Sequence, residues 1–92
     1  MGIKVTGKIW ATSQDMADRI AAGLPDHIRL SREEPGNVSF NITQGDDPWT
    51  WIVDEEFKDA DAFKAHGARM AQSAWAEAAD GIERDINVTD TA

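Results

Sequence analysis

Pro35-Gly36 most constrains how this chain folds, because it separates two segments of different hydrophobic period. Before it, Met16, Ile20, Leu24 and Ile28 recur every fourth residue, which draws one apolar stripe along a helix. After it, Val38, Phe40 and Ile42 alternate with Ser39, Asn41 and Thr43, the period of a strand. The residue before a proline is driven out of the helical region and glycine turns freely, so Leu30-Ser31-Arg32-Glu33-Glu34 must end a helix and Asn37 must open a strand. Gly23 and Pro25 interrupt the stripe itself. Pro suits the first position of a helical turn, so the spacing predicts a helix over 13–23, capped by Thr12 or Ser13, and a bent continuation over 25–33.

The rest of the chain follows the same two periods. Ile3, Val5, Gly7 and Ile9 alternate with polar residues and predict a strand over 3–10. Gly7 leaves a gap in that apolar row, which marks either a close approach by a neighbouring group or room for a ligand. Gly45-Asp46-Asp47-Pro48 is a turn, and Trp49, Trp51, Val53, Glu55 and Phe57 alternate as a third strand that forms a hairpin with the second. Asp59 caps a helix carrying Ala62, Phe63 and His66. Gly67 breaks it, a further helical segment runs through Met70, Ala74, Trp75 and Ala78, and Gly81 stops that. Ile82, Arg84, Ile86 and Val88 form the last alternating row. The order strand, helix, strand, strand, helix, strand predicts one α+β domain over 1–92: a ferredoxin-like βαββαβ antiparallel sheet with its helices on one face. Large residues on both rows of the third strand, Trp49, Trp51 and Val53 against Ile52, call for cover on the second face, and a second copy packing sheet to sheet supplies it.

Composition narrows the function classes. Seventeen acids against nine bases give a net charge of -8, unsuited to nucleic acid, whose phosphates need a basic face. There is no cysteine, so disulfides, thiolate nucleophiles and cysteine-held metals are excluded. No apolar run approaches the ~20 residues of a membrane span, and no signal-peptide pattern precedes the first strand, so the cytoplasm is the expected location and no membrane partner is expected. His27 and His66 lack the spacing of a metal motif, and no glycine-rich phosphate loop occurs; neither metal nor cofactor is expected.

The succession Leu30–Phe40, Asp47-Pro48, Glu55-Glu56-Phe57 and Ala62-Phe63-Lys64-Ala65-His66 resembles the antibiotic biosynthesis monooxygenase family over about Ile3 to Val88. The resemblance implies a small homodimer joined through its sheet faces as a dimeric α/β barrel, and an activity found in some members: oxidation of quinols or polycyclic phenols by O2 with no bound cofactor. It also implies that His66, after the Ala-Phe pair, lies beside a pocket between sheet and helices, where haem-degrading relatives carry an aromatic residue. Those relatives also carry an Asn on the first strand and a His further along the helix. Here the first strand offers Thr6 and Gly7, and no His lies near Trp75 and Ala76, so the haem-degrading set is missing.

The residues that point to chemistry are few. His66 shares a helix face with Phe63, and an imidazole titrates near neutrality, so it is the candidate base for a phenolic proton. The plain alternative is a half-buried histidine that fixes its helix. Arg84 lies in the row of Ile82, Ile86 and Val88 and is the candidate stabiliser of a phenolate or peroxide anion; the alternative is an ion pair with Glu55 or Glu56. Phe40, Trp51, Phe63 and Trp75 are candidate walls for a flat aromatic substrate, or core. Asn41 and Asn87 fall on the rows opposite the core. Glu55 and Glu56 point to opposite faces and cannot act as a pair, and the acids of 46–61 read as a solvated edge. The expectation is a monooxygenase acting on a quinol or polycyclic phenol; the alternative is a binding or stress-response dimer of the same fold without turnover.

Overall fold

A computed structural model describes residues 2–91; Met1 and Ala92, the ends of the expected domain, lie outside the described residues. The first alternating segment forms β1 (Gly2–Trp10), and the stripe after it forms α1 (Gln14–Arg32). Ser13 caps α1, its Oγ accepting from the Met16 N–H at 3.2 Å. β2 (Asn37–Gln44) and β3 (Thr50–Phe57) form the expected hairpin. They are followed by α2 (Ala60–Ala71), α3 (Ala74–Ala78) and β4 (Glu83–Thr91). Asp59 caps α2, accepting from the Ala62 N–H at 2.7 Å. The strands lie in the order β2-β3-β1-β4, antiparallel throughout, which is the ferredoxin-like plan.

Two expected breaks do not occur. α1 is one helix of 19 residues with Pro25 inside it. Pro25 donates no hydrogen bond to the Ala21 carbonyl and costs about 3 kcal/mol in an isolated helix. Burial overrides that cost, because Ala17, Ile20 and Leu24 before the proline and His27 and Ser31 after it face the sheet along one line. Gly23 is a point of close approach: a Cβ there would lie 3.0 Å from the Ala78 Cβ and 3.6 Å from Trp75, so its bare backbone admits α3. α2 likewise runs through Gly67 and ends at Gln72, where Ser73 opens α3. A Cβ at Gly67 would meet nothing within 4 Å, and its φ is not positive. Gly67→Ala is therefore expected to stabilise the fold by about 0.5–1 kcal/mol, read as a higher urea midpoint at unchanged m.

The sheet sorts its residues by register. Facing the helices are the aligned sets Val88–Val5–Glu55–Phe40 and Arg84–Ile9–Trp51, with Ile86, Gly7, Val53 and Ile42 between them. Trp51 and Val53 are thus buried under the helices and need no cover from outside, contrary to the sequence expectation. Trp49 packs half-buried at the edge of that core, its Nε1–H donating to Gln14 Oε1. The other face is mostly polar: Lys4, paired with Asp54 at 2.7 Å, then Thr6, Lys8, Glu56, Asp85 and Asn87, with Trp10 and Ile52 its large apolar side chains. Asn41 and Asn87 lie on this face, as the alternation predicts.

The helices cover the sheet unevenly. α1 packs over β2, and α2 over β1 and β3. The helix-side row of β4 is left open, with Ile86 half-buried and Arg84 and Val88 exposed. That uncovered strip makes one side of a cavity.

Candidate functional site

The cavity encloses about 430 Å³. Val5, Val53 and Glu55 form its floor, Ile86 and Val88 its far side, and Phe63, His66, Met70 and Trp75 its roof. His27 reaches it from α1.

His66 is buried, 3% exposed, and its environment is built by two helices. Its Nδ1 lies 3.0 and 3.1 Å from the two oxygens of Glu34, at the end of α1. A carboxylate only accepts, so Nδ1 carries the proton and Nε2 keeps its lone pair. Arg69 holds Glu34 from the other side, its Nε donating to Oε2, while its Nη2 donates to the buried Ser31 Oγ at 3.0 Å. The ring of His66 sits among Phe57 at 5.0 Å, Phe40 at 5.4 Å and His27 at 5.8 Å. Burial lowers the pKa of His66 below the ordinary imidazole value and Arg69 lowers it further, while Glu34 pulls it back up. The outcome is an imidazole that is neutral at neutral pH and has a carboxylate behind it to stabilise the cation that forms when it takes a proton.

His27 stacks flat on Trp75, at 4.6 Å and 4°, and meets Phe40 edge-on at 5.3 Å. Its Nδ1 is buried without a partner. Burial, with His66 and Arg69 nearby, depresses its pKa to about 3, so it stays neutral.

The sequence-derived candidates separate into two groups. His66, Phe63 and Trp75 meet on the cavity wall. Arg84 lines the rim from β4 and is exposed, since no helix covers that strand. Its expected ion pair with Glu55 or Glu56 is absent among the described residues. Phe40 and Trp51, 1% and 4% exposed, lie in the packed core and do not line the cavity, Phe40 because the rings of His27 and His66 cover it.

Three residues of the site went unassigned in the sequence. Glu55 does not lie on the solvated edge that the acids of 46–61 suggest. It is 7% exposed, on the cavity floor, and burial reinforced by Glu34 and Asp54 pushes its carboxyl up to about 7. Its signal was present: it occupies the apolar row of Trp51, Val53 and Phe57. His27 also carried one, lying three residues after Leu24 and four before Ser31 on the buried stripe. Glu34 carried none, since 32 residues separate it from the histidine it orients.

A sequence model described as "Antibiotic biosynthesis monooxygenase" matches residues 2–78. Among solved structures, an antibiotic biosynthesis monooxygenase superposes with a TM-score of 0.82 at 16% identity, covering 98% of each chain. SnoaB, a cofactor-independent oxygenase from Streptomyces nogalater, gives 0.79 at 12% identity, covering 99% of this chain and 93% of its own. A Nitrosomonas europaea protein that carries the family's name provisionally gives 0.75 at 20% identity, covering 99% and 98%. No curated protein matches the sequence. Among the described residues no helix is long and apolar enough to cross a membrane, and no group of three or more His, Cys, Asp or Glu side chains is placed to hold a metal.

Proposed function

The chain belongs to the antibiotic biosynthesis monooxygenase family, and from that premise we propose that it oxidises a quinol or polycyclic phenol with O2, using no bound cofactor. One observation carries the reading: an apolar cavity large enough for a fused-ring ligand, with the lone pair of a carboxylate-backed histidine on its wall. In this scheme His66 Nε2 takes the phenolic proton, and Glu34 stabilises the imidazolium. The electron-rich anion passes one electron to O2, giving superoxide and a ligand radical. The two combine at a ring carbon that bears hydrogen, the peroxide anion takes back the proton held on His66, and the hydroperoxide loses water, with that carbon's hydrogen, to leave a new carbonyl. The protein's part is deprotonation, orientation between Phe63 and Trp75, and exclusion of water. Arg84 at the rim holds the anion as it forms.

The same reading includes a homodimer. Two copies pack through their open sheet faces, centred on Trp10 and Ile52, with lysines and acids of the same face pairing around them. The cytoplasm is its proposed location. An oxygen electrode with a panel of quinols and anthrones tests the activity: stoichiometric O2 consumption with conversion to the quinone supports it. Saturable binding of those compounds without O2 uptake makes the protein a binding module of this fold.

A further inference from the structure

Resting on that reading of the cavity, we propose that Glu55 is a second catalytic residue: it donates a hydrogen bond from the floor to the oxygen on which the ligand's charge collects once His66 has removed a proton. Among the described residues Glu55 lacks a partner of its own. It is more than nine-tenths buried, it faces the cavity, and it has neither a hydrogen bond nor an ion pair among the described residues. Its strand neighbours on that face are Val53 and Phe57, and its cross-strand neighbours Val5 and Phe40. Any of those apolar residue types would fill the position without burying a carboxyl. The fold has no use for this acid, so its partner is something the cavity admits.

Its neighbours fix its protonation. The groups facing or flanking it are His27 from α1, Glu34 just past the C-terminus of α1, His66 and Arg69 from α2, Asp54 on its own strand, and Arg84 and Asp80 at the rim. Burial is the main force holding its carboxyl up, the charges of Glu34 and Asp54 add to it, and neither Arg69, which is paired with Glu34 and Ser31, nor the exposed Arg84 forms an ion pair with it. Below about pH 7 Glu55 therefore keeps its proton. No proton crosses from it in the step: the ligand O–H bond breaks, its electron pair stays on the ligand, its proton goes to His66 Nε2, and the Glu55 O–H only donates. Once ionised, Glu55 has nothing to donate and repels the same oxygen. Both histidines are held below their ordinary range, so in the window around pH 7 Glu55 is the cavity group that changes charge.

The probe is 2-hydroxy-1,4-naphthoquinone, already an anion between about pH 5.5 and about pH 8.5, with uncharged 1,4-naphthoquinone as control; binding is followed by quenching of tryptophan fluorescence. For the wild type, Kd of the anion is expected to rise more than about tenfold across that range, and Kd of the control, which loses a hydrogen bond but meets no charge repulsion, to rise far less. Glu55→Gln keeps a donor that cannot ionise, so it is expected to hold the low-pH Kd throughout. An unchanged pH dependence in Glu55→Gln, or none in the wild type, overturns the role of Glu55 and leaves the cavity reading standing. Failure of folded wild-type protein to bind either compound at any pH overturns both.

Discussion

Turnover of an electron-rich quinol by His66→Ala is expected to fall by about 10²–10⁴-fold in kcat. KM should change far less, because the apolar walls that hold the ligand remain. The size of the loss follows from the arrangement around the ring. Nε2 is the one ring nitrogen free to accept, since Nδ1 is committed to Glu34, and burial keeps the imidazole neutral and ready. A histidine that merely fixed α2 would leave kcat near the wild-type value once the protein is folded. Free imidazole separates the two further, since it restores part of the rate only if the missing group moved a proton. Glu34→Gln keeps a hydrogen-bonding partner for Nδ1 and removes the charge behind the imidazolium. Its kcat should fall less than that of His66→Ala, and the acid limb of its rate profile should move to lower pH, because the charge that raises the His66 pKa is gone.

The second large effect concerns stability. Gly7→Ala is expected to destabilise the fold by about 2–4 kcal/mol, a substantial share of what a small domain has. Gly7 has a φ of +145°, and a Cβ there would lie 2.0 Å from the Asp85 carbonyl oxygen and 3.0 Å from the Ile86 Cα. The obstacle is backbone, which cannot rotate aside. The gap in the apolar row of β1 is thus filled by the close passage of β4 and is not room for a ligand. Urea unfolding measures the loss. A quinol titration adds a second readout, since displacing β4 moves Ile86 and Val88 and raises KM. The same methyl group has opposite expected signs at Gly7 and Gly67, decided by what stands within 4 Å.

The fold was legible because its evidence is local. Alternation placed all four strands, Pro35-Gly36 placed the end of α1, and Ser13 and Asp59 placed the helix starts. Pro25, Gly23 and Gly67 misled for one reason: propensity speaks for an isolated segment, whereas α1 and α2 are held by packing that outweighs it. Trp51 was assigned to the wall because size and apolarity alone do not distinguish a wall from a core. That distinction depends on where α1 rests, which is a tertiary fact. The partnership of Glu34 with His66 lay further out of reach, since it joins the end of one helix to the middle of another. Glu55 is legible in principle, because an acid in an otherwise apolar alternating row departs from the pattern of its strand.

The far side of the cavity has a history of its own as the chain condenses. β4 joins the sheet only by pairing with β1, so the two strands that must find each other stand at opposite ends of the described chain. Closing so long a loop is entropically costly, and contacts of this kind form late. With no helix packed closely over it, β4 is held along one edge by β1 alone, and local opening of the sheet is expected to begin there. Hydrogen exchange should thus find the entrance of the hollow at the seam that zipped last, where a bulky guest is admitted by breathing of the edge without melting the nucleus beneath α1.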